Sequence, residues 1–209
     1  MINSVRGGAA AAKVGHRPIT RSMVRHMSVP KKLPRTKFAQ LLQAQVRNEF
    51  TAAQQYVAVA VWFDNRDLPR LAAHFYRQAL EERNHAMMMI QYLMDQNLPV
   101  AVPGVDEVRN DFDNAEELIA LALQQERDVA DEIDALMAAA RADGDYSGEQ
   151  FVQWFVGEQV EEIAQMSTLL NVVRRSNGNL FDVENFLARE RVGDQLAGAT
   201  GPRAAGGAI

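Results

Sequence analysis

Four long stretches of this chain carry apolar residues at alternating spacings of three and four, the period of a helix with one buried stripe, and an acid interrupts each stripe. The first stripe reads Leu42, Val46, Glu49, Ala53, Tyr56, Ala60, Phe63. The second reads Leu71, Phe75, Gln78, Glu82, His85, Met89, Tyr92, so that an acid and a histidine three residues apart face the same way. The third reads Ala115, Ile119, Ala122, Glu126, Val129, Ile133, Leu136. In the fourth, Phe151, Phe155, Glu158, Glu162, Gln165 and Leu169 share a stripe, and Gln159 lies on the adjoining one with Val152, Val156 and Met166. Burying one unpaired carboxylate costs on the order of several kcal/mol. Converging four would consume most of a domain's stability of about 5–15 kcal/mol. Basic partners, protonation or metal ions are the available remedies. No Lys or Arg occupies these positions, and Arg83 and Arg127, which follow the acids, project about 100° round the helix. Metal ions are the remaining good answer.

The connections decide how the stripes meet. The first helix is predicted from about Thr36 to Asp64 and the second from about Leu68 to Gln96, with Asp67 as N-cap ahead of Pro69. Pro99, Pro103 and Gly104 forbid a continuing helix across 97–113, and that stretch is far longer than an antiparallel turn needs, so it is a crossover. The third helix is expected from about Asn114 to Ala142. A tight turn at Asp143-Gly144-Asp145 leads to the fourth, from about Ser147 to Ser176, and a short fifth lies near Leu180–Arg191. Glu49 lies 15 residues before the end of its helix and Glu82 lies 14 after the start of the next, so a hairpin brings them to one level. The fold class is all-α, a four-helix bundle with one long crossover between the second and third helices plus a short fifth helix, the connectivity of ferritin-like bundles.

With no cysteine, the chain has no disulfide, Cys-ligated zinc or iron–sulfur cluster, and any metal must be held by His, carboxylate or amide groups. No apolar run approaches the roughly 20 residues that span a bilayer. The net charge of −5 hides an asymmetry: residues 1–37 carry nine Lys or Arg and no acid, and the remainder carries 13 basic residues and all 27 acids, hence −14. Residues 1–35 read as a disordered basic extension, 36–192 as one di-iron domain and 193–209, rich in Gly and Ala, as a mobile tail. Arg and Ser without acids also suit an organellar transit peptide, and a natural start at Met27 would make the first 26 residues an upstream extension. His74 is expected at a surface or interface, Met87, Met88 and Met89 in packing, and Asp128, Asp131, Glu132 and Asp134 on a solvated face.

A Glu on each of two helices with a Glu-x-x-His on another is the inward pattern that holds paired iron in such bundles. The segments Asn48-Glu49-Phe50 with Tyr56, Glu81-Glu82-Arg83-Asn84-His85, Gln125-Glu126 and Gln153-Trp154-Phe155-Val156-Gly157-Glu158-Gln159-Val160-Glu161-Glu162 closely resemble bacterial non-haem ferritin from about Thr36 to Arg191. The crossover Val102-Pro103-Gly104-Val105-Asp106 and the Ala/Gly-rich tail resemble the actinobacterial type. The resemblance implies a first iron site at Glu49, Glu82 and His85, with Glu82 bridging to a second iron bound by Glu126 and assisted by Gln159. It implies a third iron site drawn from Glu81, Glu158, Glu161 and Glu162, a tyrosine beside the centre at Tyr56 and an aromatic close by at Trp154. It also implies a cytoplasmic ferroxidase that uses O2 or H2O2 and stores Fe(III) mineral in a cage of twenty-four identical subunits.

Neighbouring families differ at identifiable places. Bacterioferritin has a second Glu-x-x-His on the fourth helix and a haem-ligating Met directly after the Glu of the second. Here Gln159-Val160-Glu161-Glu162 and Arg83 stand there, so haem is not expected. Rubrerythrin needs cysteines, and the DNA-protecting mini-ferritins place their ligands between subunits. Two rivals stand beside the storage reading. A di-iron oxygenase would need a substrate cavity where these stripes carry Leu, Phe, Tyr and Met, and a DNA-compacting cage would bind nucleic acid through the basic extension alone.

Overall fold

The structure is a computed structural model that describes residues 36–189 and 201–207. Five helices follow in order: α1 (Lys37–Asp64), α2 (Pro69–Asp95), α3 (Ala115–Asp143), α4 (Tyr146–Arg175) and α5 (Leu180–Arg189). Among the described residues there is no strand, and no helix is long and apolar enough to cross a membrane. α1 pairs with α2 and α3 with α4 as two hairpins, α1 also lies against α3, and α5 packs across α2 and α4. The expected bundle, crossover and fifth helix are all present, with boundaries one or two residues from the sequence reading.

Helix starts are secured by oxygen acceptors for the orphan N–H groups of the first turn. Thr36 Oγ1 accepts from Ala39 N at 3.1 Å, and Asp143, at the far end of α3, accepts from Phe38 N at 2.8 Å. Asn114 caps α3 through Glu117 N at 2.9 Å, and Asp145 caps α4 through Gly148 N at 2.8 Å. The expectation for α2 is corrected. Asp67 is not its N-cap but a left-handed residue, φ 56°, that closes the preceding turn, and Leu68 in the cap position offers no side-chain acceptor. Glu184 of α5 supplies the missing oxygens, accepting from Arg70 N at 3.1 Å and Leu71 N at 2.8 Å. The fifth helix thereby caps the second.

The crossover runs alongside α1 and is held by its side chains. Gln43 donates to Ala101 O at 2.8 Å and accepts from Ala101 N at 2.9 Å. Gln55 does the same to Arg109, both at 2.8 Å. Between them Thr51 Oγ1 accepts from Asp106 N at 3.1 Å and Arg47 pairs with the Asp106 carboxylate. Extended backbone that lacks a strand partner must satisfy its polar groups elsewhere. Here the amides of a helix face serve.

The tail expected at 193–209 lies in large part outside the described residues. Residues 1–35, 190–200 and 208–209 lie outside the described residues, but 201–207 is docked: Ala205 N donates to Met87 O at 3.0 Å, and Ala204 and Ala205 pack on the core.

Gly148, in the first turn of α4, faces Phe38, and a Cβ there would stand 2.5 Å from the ring. Phe38 is buried. Gly148→Ala should therefore cost about 1–3 kcal/mol through overpacking. Gly157→Ala, where a Cβ meets nothing within 4 Å, should gain up to about 1 kcal/mol through helix propensity. Thermal unfolding of the two variants should show shifts of opposite sign; equal shifts would contradict this account of the α1–α4 contact.

Candidate metal centre

The core is not continuous. One apolar cluster contains Tyr56, Phe63, Phe75, Ile119 and Met166, and a second contains Leu42, Met89, Ile133 and Phe155. Between them the helices place a polar layer: Glu49 on α1, Glu82 and His85 on α2, Glu126 on α3, and Gln159 and Glu162 on α4, each no more than 5% exposed. Of the stripe positions that broke apolar periodicity, Glu49, Glu82, His85, Glu126 and Glu162 converge here.

Two overlapping triads emerge. Glu49, Glu82 and His85 bring one ligand atom each within 4.8 Å of one another, and so do Glu82, Glu126 and Glu162. Glu82 belongs to both. His85 Nδ1 lies 3.3 Å from Glu82 and 4.0 Å from Glu49, with the rings of Trp154 and Phe155 edge-on at 5.6 and 5.5 Å. Glu162 enters the second triad, whereas the sequence reading grouped it with Glu81, Glu158 and Glu161. Gln159 sits beside it and donates to its carboxylate at 2.6 Å. Tyr56 donates its hydroxyl to Glu126, fixing that carboxylate from the first helix.

The remaining predicted residues form an outer fringe. Glu81 and Glu158 are half-buried and Glu161 is exposed. The Gln78 amide donates to Glu81. Burial raises the pKa of both Glu81 and Glu158, and the charges of Glu161 and Glu81 raise that of Glu158 further. Gln45, which donates to Glu49 at 3.1 Å, was not anticipated from the sequence, although it stands one helical turn before that acid. Glu132, read as a solvated residue, is half-buried and its charge acts on Glu49. His74, expected at a surface or interface, is buried.

Burial dominates the electrostatics. It pushes Glu82 and Glu162 well above the usual carboxylate range, reinforced by the neighbouring acids, and lifts Glu49 against the opposing bonds with Glu82 and Gln45. It carries Glu126 to about 7, and lowers His85 to about 4, which keeps the imidazole neutral. Buried polar atoms are almost always hydrogen-bonded, yet Oε2 of Glu49, Oε2 of Glu126 and Oε1 of Gln159 have no partner among the described residues. Unpaired oxygens, repelling carboxyls and a neutral imidazole within one small space form a donor set for hard or borderline divalent cations.

Fold and site together define a four-helix bundle with a buried carboxylate–histidine centre able to hold metal. A ferritin-like domain is matched over residues 39–176. The chain is 58% identical over 176 residues to ferritin BfrB of Mycobacterium tuberculosis, covering 84% of this chain and 97% of that one. It is 56% identical to ferritin BfrB of Mycolicibacterium smegmatis, covering 83% and 96%. It is 34% identical over 134 residues to the bacterial non-heme ferritin of Staphylococcus aureus, covering 64% and 81%. Among solved structures it superposes on an open pore ferritin from Archaeoglobus fulgidus with TM-score 0.70 and 25% identity, covering 74% of this chain and 96% of that one. The chain belongs to the ferritin family.

A pH dependence follows from the raised carboxyls. Glu126 holds its proton to about pH 7 in the fold but only to its ordinary value of 4.5 when released. The metal-free fold therefore loses stability as pH rises through that window. A bound cation replaces the protons. We expect the metal-free protein to melt at a lower temperature at pH 7.5 than at pH 5.5, Glu126→Gln to narrow the difference, and Zn2+ to restore stability at pH 7.5. A melting temperature indifferent to pH and to Zn2+ would show that these carboxyls do not converge.

Proposed function

We propose that this ferritin oxidises Fe(II) at the buried carboxylate layer and stores the Fe(III) product as mineral inside a closed cage of twenty-four subunits. The observation that carries the reading is the pair of triads sharing Glu82, placed between two apolar clusters. Two Fe(II) ions are the substrate. Glu49, Glu82 and His85 receive one and Glu82, Glu126 and Glu162 the other, with Gln159 orienting Glu162 and Tyr56 orienting Glu126. Each ion gives up one electron to O2 or H2O2. Carboxylates favour the product because they stabilise the higher charge of Fe(III). The neutral His85 ligates without having to lose a proton at working pH.

Glu81, Glu158 and Glu161 extend the acid path from Glu162 toward the surface, and with Glu162 they form the third iron site of this reading. Haem has no part in it, since Arg83 is exposed at the place after Glu82 where a haem-ligating Met would be needed. In this reading the cage is homo-oligomeric and cytoplasmic. Closed symmetric contacts are the rule for such assemblies.

Glu49→Ala, Glu82→Ala and His85→Ala should leave a folded, assembled cage and slow the initial aerobic oxidation of Fe(II) at least about tenfold, as expected for lost ligands. Unchanged initial rates in all three would sink the di-iron assignment. Glu81→Ala and Glu158→Ala should leave the first turnover near normal and alter later turnovers. Iron-soaked crystals with two iron positions per subunit, both far from these side chains, would count against the third site.

Residues 1–26 carry five Lys or Arg, no acid and no sustained apolar periodicity. A chain beginning at Met27 should elute as the same large particle and take up iron at the same rate. Elution as dimers would give the basic extension a role in assembly.

A further inference from the structure

On the α5 side of the bundle, a cavity of about 230 Å³ opens between α2, α4 and α5. Leu169, Phe186 and Leu187 give it an apolar wall, and His74, Gln165 and Thr168 are its polar members. His74 is only 3% exposed, and its Nε2 has no hydrogen-bond partner among the described residues. Eight residues separate it from Glu82 on α2, about 12 Å along the axis, so the cavity is distinct from the carboxylate layer. Nothing in the storage chemistry uses this histidine.

We propose that this cavity binds a small phenolic molecule, with the ring against Leu169, Phe186 and Leu187 and the hydroxyl hydrogen-bonded to His74 Nε2. The volume sets the size. An apolar protein cavity of about 150 Å³ accepts benzene, so the space here admits one ring with a polar substituent. A hydroxyl suits His74 because it can donate or accept and so meets either imidazole tautomer.

The alternatives fit less well. Burial, then the Arg77 charge, lowers the His74 pKa to about 4, so the ring is neutral at working pH and offers no counter-charge to a carboxylate. The same Arg77 charge opposes a cationic ligand. A metal ion would find one nitrogen, an amide and a hydroxyl, with no acid among the lining residues. A mostly apolar wall with a few convergent polar groups is the usual make-up of a small-molecule site.

The test uses the full-length, assembled, metal-free protein, so its outcome is independent of iron oxidation. Binding of phenol and of toluene is followed by saturation-transfer NMR and titration calorimetry. The parent protein should bind phenol saturably, one per subunit, at least as tightly as toluene despite the cost of desolvating the hydroxyl. His74→Phe keeps an aromatic ring of similar size and removes the acceptor; it should weaken phenol at least about tenfold while changing toluene by less than about threefold. Ala164→Phe, at an exposed position on the cavity wall, fills the space without touching His74's role and should weaken both compounds by at least about tenfold. Absence of saturable phenol binding to the parent would overturn the proposal. So would a His74→Phe variant that weakens phenol no more than toluene, or an Ala164→Phe variant that binds both as the parent does.

Discussion

The enclosure of several carboxyls in one dry layer is the constraint on which the rest of this structure turns. Glu49, Glu82, Glu126 and Glu162 are almost fully enclosed, and the charges of Glu162, Glu126 and Glu49 all raise the protonation tendency of Glu82. A layer of that kind cannot hold a bundle together. The two apolar clusters on either side must, and they do so from opposite ends, each drawing on all four long helices. Folding energy comes from the ends and chemistry sits in the middle, so the middle can be tuned for cations rather than for cohesion.

The surroundings of the layer limit how its acids can respond. Glu49 is held by Gln45, Glu126 by Tyr56, and Glu162 by Gln159, each donor lying on one of the four long helices. Fixed donors of this sort keep carboxylates near a productive arrangement before any ion arrives. Glu81 and Glu158, in contrast, are only half-buried. The centre thus grades from enclosed to half-buried across α2 and α4.

Much of this was legible in the sequence because it rests on periodicity. Stripe spacing placed Glu49, Glu82, His85 and Glu126 on inward faces, and the prolines of the crossover settled the connectivity. What the sequence hid depends on contacts between distant elements. Glu184 caps α2 across 113 to 114 positions of chain, so the local search for an N-cap settled on Asp67 instead. The burial of His74 depends on how α5 packs against α2 and α4, which no stripe on α2 alone reveals. Glu162 stands three residues after Gln159 and shares a helix face with it, so choosing between them as partner of Glu126 required the rotation of α4. The docking of 201–207 could not be read from a composition of glycine and alanine.

The amide clamps on the crossover bear on how such a protein can change over time. Gln43 and Gln55 grip backbone atoms of Ala101 and Arg109, not their side chains. The register of the connection is therefore written largely in the helix, to which the connection itself adds the Asp106 carboxylate and the buried Phe112 ring. Val102 and Val105 project into solvent, and Gly104 has open space around it. Drift at Val102, Gly104 and Val105 can proceed without disturbing the bundle, whereas the two glutamines, unremarkable in composition, carry the memory of the path.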